Sequence, residues 1–391
     1  MANQCDVAVV GLGLVGAAAL RHLSERGLRC IGIGPGEPSD WSSHEGVFAS
    51  HYDSGRITRR LDARQEWAKL AGRAIAAYAG IEAAAGVSFH RPVGVLMAEV
   101  DPARLASTIA VADGLGVEFE RFEPGEPVGD DRVVLPREAT VLREPAPGGF
   151  IDPRRMLAAQ LTVARRHGAG VVVDQADRVG RRPGGWVVHT VNGAAVEAEQ
   201  LVIATGPHAD ELTGLARQPH IDVVAETVVL ARVSATEQQR LAGIPSIIVD
   251  DPHRDHLYVV PPTEYPDGHV YVKLGATRRD ERVLSAHERR EWMAGSAHEA
   301  DLGWLRNLLL DLLPDSQFEA WLTKPCLIPD TPTKLPYVEI VDTGLVMAVG
   351  GNGYAAKSAD AIGALAAGLV VNRRWTDTEF DAKSFELIAR A

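Results

Sequence analysis

The constraint that most narrows what this chain can fold into is its opening. Residues 6–34 read DVAVVGLGLVGAAALRHLSERGLRCIGIG. An apolar run, a turn with Gly11, Gly13 and Gly16 at GxGxxG spacing, a small-residue helix and a second apolar run follow in the order a βαβ unit demands. The first glycine permits the tight turn, the second lets backbone approach a pyrophosphate, and the third lets helix and strand pack closely. The N–H groups of Leu14, Val15 and Gly16 then open the helix toward an anion. The segment predicts a dinucleotide site, with a plain glycine turn in an α/β protein as the alternative. One position departs from the pattern: the second strand should end on an acid for the adenosine ribose, yet Gly34 stands there and Glu37 is the nearest carboxylate. Either Glu37 reaches back, or backbone and water take over. A free nicotinamide cofactor depends heavily on that contact, and a flavin dinucleotide gripped along its whole length depends on it less.

Two later stretches read as parts of the same unit. GGWVVHTVNGAAVEAEQLVIATG is a Gly-Gly hairpin leading into a buried strand that ends at Thr205 and Gly206, and GLVMAVGGNGYAAKSADAIGALAAGLVV is a strand, a glycine turn and an Ala-rich helix. Between them, residues 87–150 carry many Gly, Pro and acidic residues. Residues 216–325 hold alternating runs such as HLYVVPP and HVYVKLGA, then the amphipathic DLGWLRNLLLDLLPD. The expectation is an α/β (α+β) protein: a Rossmann-like domain from residues 1–86, 151–215 and 326–391, with a β-rich substrate domain from 87–150 and 216–325 inserted into it.

The formal charge of −12 opposes a broad nucleic-acid or anionic-membrane footprint, because either needs a basic face. No apolar run approaches the length of a membrane span, and the opening lacks a signal pattern, so a cytoplasmic location is expected. Cys5, Cys30 and Cys326 are too few and too odd for a disulfide framework. His253, Asp255 and His256 fit no closed zinc pattern, and no metal is expected.

SHYDSGRITRRLD, residues 50–62, resembles the segment after the second strand in monomeric sarcosine oxidase and its relatives in the D-amino-acid oxidase superfamily of flavoproteins. The resemblance extends to LYVVPP, YVKLGA, CLIPDTP, GGNGYAAKSADAIG and LVIATGPHADEL. It implies a glutathione-reductase-like architecture and FAD as cofactor. Ser50, Arg56, Ile57, Thr205, Gly206, Gly351, Asn352, Gly353, Tyr354 and Lys357 would then border the cofactor, and Cys326 would be thioether-linked to the flavin 8α-methyl. It also implies that Arg56 lies over the flavin, that Tyr258 lines the substrate pocket and that Lys273 sits near flavin N5. Tyr52 and Thr277 stand where sarcosine oxidase has pocket histidines, and Lys357 lies two residues further from the Gly-x-Gly turn than in that enzyme.

Physical reasons stand beside bland alternatives. Arg59 and Lys357 would suit a substrate carboxylate, or be two surface cations among the chain's 40. Arg56 would stabilise an anionic reduced flavin, or make a structural salt bridge. Lys273, on a strand beside Val272 and Leu274, would favour negative charge developing on oxygen, or guard an edge strand. Cys326 is otherwise a small buried hydrophobe, Tyr258 a core aromatic and His51 a hydrogen-bonded loop residue.

The expected activity is FAD-dependent oxidation of a small amino or imino acid with a secondary or N-methyl amine. Hydride passes to flavin N5, water hydrolyses the imine, and oxygen becomes hydrogen peroxide. The partners are then a small amine and molecular oxygen, and the protein a monomer or small homo-oligomer. A dehydrogenase or hydroxylase using another electron partner, or a flavin-holding subunit without turnover, is the rival reading.

Overall fold

Strand Asn3–Val10 lies between two parallel neighbours, Cys30–Gly34 and Ala195–Ile203. With both faces covered, Val7, Ala8, Val9 and Val10 are all buried, which is why this run is continuously apolar. The computed structural model of the chain, which describes residues 3–251, 256–277 and 283–390, extends this core into an eight-stranded sheet. Gly170–Val173 joins beyond Cys30–Gly34, and Leu345–Val349 runs parallel to the end of Ala195–Ile203. The hairpin of Ala176–Arg182 and Gly185–Thr190 pairs with the start of that same strand.

Helices Leu14–Glu25, Gln65–Ala85, Pro153–Arg166 and Ala355–Asn372 share one hydrophobic cluster on this sheet, with Leu20, Trp67, Met156 and Ile362 among its members. A polar knot sits within it. Arg21 donates to Asp360 Oδ1 at 2.7 Å and to Gln160 Oε1 at 2.5 Å, and Gln160 donates to the same aspartate oxygen at 2.9 Å. Three helices are thereby fixed around one carboxylate.

A second eight-stranded sheet runs in the order Phe318–Asp330, Asp222–Val233, Val270–Thr277, His256–Glu264, Ser246–Asp250, Val95–Glu99, Thr140–Glu144, Glu120–Phe122. Only the pair Ser246–Asp250 and Val95–Glu99 is parallel. Helix Leu302–Leu312 covers one face, setting Leu305 and Leu309 against Val229, Val272 and Leu274. A short three-stranded sheet of Arg56–Thr58, Gly149–Ile151 and His90–Arg91 completes the strands.

Three local expectations change. KPCLIPD, residues 324–330, forms the end of the 13-residue strand Phe318–Asp330 and runs past the boundary expected at 326. It is an outer strand, so Pro325 and Pro329 withhold no N–H that an inner ladder would need. Val270–Thr277 is an inner strand paired on both sides, so Lys273 guards no edge. The stretch 87–150 contains a helix, Pro102–Leu115, capped by the Asp101 side chain, which accepts from Ala103 N at 2.9 Å. His253 and Asp255 lie outside the described residues. Among the described residues, no helix is long and apolar enough to cross a membrane.

The knot around Asp360 gives a test of the helical layer. Arg21→Met removes the principal cation from a buried carboxylate and should cost about 3 kcal/mol in urea unfolding. Arg29→Met, at an exposed pair with Asp6, should leave the midpoint nearly unmoved.

Candidate active site

The glycines of the first turn answer to different constraints. Gly11 has φ +93°, and a Cβ there would lie 2.5 Å from Ala204 O; a Cβ on Gly16 would lie 1.8 Å from Gly11 O. Both are dictated by close backbone packing. Gly13 has φ −77° and ψ −170°, which any residue tolerates, and its added Cβ would meet nothing nearer than His51 Nδ1 at 3.9 Å. What Gly13 preserves is open space above the backbone. Helix Leu14–Glu25 begins there without a side-chain cap, so its first N–H groups remain available to an anion.

Gly34 also has a steric cause. A Cβ there would stand 2.7 Å from Leu12 N, so no acidic side chain fits. The expectation that Glu37 replaces it needs correction: Arg154 holds both Glu37 oxygens, at 2.5 and 2.7 Å, and Glu37 does not border the cavity.

A cavity of about 750 Å³ runs from this turn to a second helix start, in the size range of small-molecule and cofactor sites. There Gly350, Asn352 and Gly353 all have positive φ, and helix Ala355–Asn372 also begins without a side-chain cap. Asn352 braces the turn, accepting from Thr331 N at 2.8 Å and donating to Gly350 O at 2.6 Å. Thr205 Oγ1, on the cavity wall, is buried without a hydrogen-bond partner. Two uncapped helix starts, an orphaned hydroxyl and the space over Gly13 together fit an extended dinucleotide such as FAD.

Beside this cleft lies a cationic pocket. Arg59 Nη1 is 3.1 Å and Lys357 Nζ 2.7 Å from the same oxygen of Asp62, and all three side chains are buried. Burial alone would raise the Asp62 carboxyl, but Lys357 and Arg59 hold it down to about 2. Lys357 is pushed down to about 8 by burial and then by repulsion from Arg59, against the pull of Asp62. Tyr354 places its ring 5.0 Å from the Lys357 ammonium and stacks on Trp67 at 5.2 Å. Arg104, from helix Pro102–Leu115, adds a third cation to the wall, tied to Glu99 at 2.9 Å and Asp250 at 3.2 Å.

Cys326 borders the cavity, and Arg56 Nη2 lies 3.4 Å from its sulfur. Arg56 is paired with Asp53 and also donates to Ser50 O at 3.2 Å. Lys273 is engaged by Asp53 Oδ2 at 2.5 Å and Gly55 O at 2.9 Å; it lies 5.2 Å from the Tyr258 ring and is not itself part of the cavity wall. His51 faces the cavity, with burial and the charges of Arg154 and Arg56 pushing its imidazole down to about 3, so it is neutral. Tyr52 turns away, donating to Gly36 O at 3.0 Å from within a hydrophobic cluster.

The structure thus gathers on one cavity Gly11, Gly13, Leu14, Val15, Ser50, His51, Arg56, Ile57, Arg59, Thr205, Gly206, Tyr258, Cys326, Gly351, Asn352, Gly353, Tyr354 and Lys357. Gly16, Glu37 and Lys273 stand outside its lining. Asp62, Arg104 and Glu226 line it and escaped the reading of the sequence. Asp62 had a signal, an acid three residues after Arg59; so had Glu226, a lone acid inside the apolar strand DVVAETVVLARV. Arg104 had none, since only folding brings its helix here.

A family model described as FAD dependent oxidoreductase (DAO) matches residues 6–369. The chain belongs to the DAO family. Monomeric sarcosine oxidase from Streptomyces avermitilis is 28% identical over 222 residues, 54% of either chain, so the match spans about half of that relative's length. Solved structures that share the fold include the following two. NikD, an unusual amino acid oxidase essential for nikkomycin biosynthesis, is 22% identical with TM-score 0.72, covering 100% of this chain and 98% of its own. Glycine oxidase from Geobacillus kaustophilus is 20% identical with TM-score 0.70 and full coverage of both. FAD is accordingly the cofactor for which this DAO member is built.

The open space at Gly13 makes the cofactor site testable. Gly13→Val should leave the unfolding midpoint of the flavin-free protein within about 1 kcal/mol of the parent. Visible flavin absorbance of the purified protein should fall by an order of magnitude, and full retention of flavin would contradict the assignment.

Proposed function

We propose that this DAO member is an FAD-dependent oxidase of a small amino or imino acid whose reacting nitrogen is a secondary or N-methyl amine. The observation that carries this reading is the Arg59–Asp62–Lys357 group: two buried cations share one carboxylate, and the surplus positive charge borders the cavity. An arginine fork binds both oxygens of a carboxylate, and a sheltered charge-assisted bond contributes about 1.5–3 kcal/mol. A substrate held this way presents the carbon beside its nitrogen in a fixed orientation.

Gly11, Gly13, Thr205, Gly351 and Gly353 would hold FAD, which would supply the hydride acceptor for that carbon and the route of its electrons to oxygen, with hydrogen peroxide and a hydrolysable imine as the products. The chain's own contribution is placement and charge. Neutral His51 adds no competing cation for the carboxylate. Tyr258 closes the wall nearby; burial and then Glu226 raise its phenol above the ordinary value, so it remains a hydrogen-bond donor. Arg56 brings its guanidinium to the wall beside Cys326, which supports a role for Cys326 as the thioether anchor.

Screening N-methyl, cyclic imino and D-amino acids for peroxide release tests the whole reading. Flavin bleached by NADPH and by no amine would overturn it. Arg59→Met should raise KM for the best substrate by about 10- to 100-fold, the loss of one to two charge-assisted bonds. A simple carboxylate inhibitor should bind more weakly as pH rises through about 8, where Lys357 loses its proton, and Lys357→Met should flatten that profile. On acid precipitation, parent flavin should stay with the protein while Cys326→Ser releases it; flavin freed from the parent would rule out the covalent anchor.

A further inference from the structure

One carboxylate on the cavity wall has so far served only as a neighbour of Tyr258. Glu226 lies on strand Asp222–Val233, opposite Cys326 in the ladder, and is 6% exposed. Its Oε1 accepts from Tyr258 OH at 2.9 Å and its Oε2 from Thr277 Oγ1 at 2.8 Å. Both partners are uncharged, and among the described residues no cation stands within ion-pairing distance of it. Arg56 and Lys273 both feel its charge, but both are bound to Asp53. The other shielded carboxylates on this wall are matched: Asp62 by Arg59 and Lys357, Glu211 by Arg289 and Arg290, Asp330 by Lys334.

A carboxylate offers about four acceptor positions, and two donors leave room for more. Burying it with neutral hydrogen-bond donors and no directly paired cation is costly, and a cation arriving through the cavity would offset that cost. That cation is not the reacting amine. Hydride leaves the carbon beside nitrogen only when the nitrogen lone pair is free, and a carboxylate next to that nitrogen would hold its proton on. The partner of Glu226 must be a nitrogen that stays protonated throughout.

We propose that Glu226 determines specificity by receiving a distal protonated nitrogen, so that the substrate is a basic amino or imino acid spanning the pocket from Arg59 and Lys357 to Glu226. This rests on the amino-acid oxidase reading above. Tyr258 and Thr277 act as positioning residues, each fixing one carboxylate oxygen.

The test uses the holoenzyme and dead-end ligands, read by perturbation of the flavin spectrum. A series from γ-aminobutyrate to ε-aminocaproate is titrated beside plain carboxylates of equal length. At one length or more the parent should bind the ammonium-bearing member about ten-fold tighter, the worth of one charge-assisted bond. Glu226→Gln should abolish that preference while leaving plain carboxylate affinity within about two-fold. Thr277→Val, which keeps the charge, should retain most of it. If the glutamine variant does not fold, the parent alone decides, because absence of preference at every length overturns the proposal. Persistence of the preference in Glu226→Gln does so too. Should plain carboxylates bind in an Arg59-dependent way without ammonium preference, only the Glu226 assignment falls. Should neither ligand type bind, the carboxylate end is wrong and this proposal falls with it.

Discussion

Two aspartates flanking strand Arg56–Thr58 hold the charged side chains around which the cavity is built. Asp53 engages Lys273 and Arg56, and Asp62 engages Arg59 and Lys357. Asp62 therefore balances one cation and leaves another in surplus, while the two cations at Asp53 also face the charge of Glu226. Lys273 belongs to the second sheet and Lys357 to the helix Ala355–Asn372 packed on the first, so these short ion pairs also tie both layers to the segment between them. Removing either carboxylate would strand two buried cations, a change far costlier than losing an exposed pair. Geometry and charge at the cavity are in this sense one design: the residues that position the cations also set how much positive charge is left over.

That arrangement explains how a chain of net charge −12 presents a cationic pocket. The surplus is local, enclosed by apolar walls where charge is weakly screened, while the acidic exterior is solvated. The imidazole of His51 stays neutral because it is buried and because Arg154 and Arg56 add positive charge around it. Lys357 keeps its proton only to about pH 8 because burial, and then repulsion from Arg59, outweigh the pull of Asp62.

Much of this was legible in the residues, for reasons that differ by element. The first βαβ unit declares itself because a strand covered on both faces must be continuously apolar and because a tight turn over a ligand demands glycine. The segment around Cys326 does not, since its prolines read as strand breakers until the pairing shows it to be an outer strand, where a missing N–H costs nothing. Helix Pro102–Leu115 carries an Asp-Pro start, the same signal that opens Pro153–Arg166 at Asp152, but the acidic and glycine-rich surroundings mask it. Side-chain direction is harder still. Alternation along HVYVKLGA places Lys273 on a face, yet only the fold reveals that Asp53 and Gly55 capture its ammonium.

Gly34 shows how one steric contact propagates into cofactor choice. The turn that lets Gly11 and Gly16 pack against neighbouring backbone also brings Leu12 N within 2.7 Å of where a Gly34 side chain would begin, so the usual ribose-binding acid is excluded by the turn itself. Glu37, the nearest substitute, is already neutralised by Arg154. A cofactor bound here finds no carboxylate for its ribose at Gly34 or Glu37, which puts more weight on contacts elsewhere along its length. The second uncapped helix start at Ala355–Asn372 and the unpartnered Thr205 hydroxyl both border the cleft and offer such holds. A dinucleotide carrying a large ring system at its far end exploits both of them, whereas one that depends on a ribose carboxylate for its grip does not.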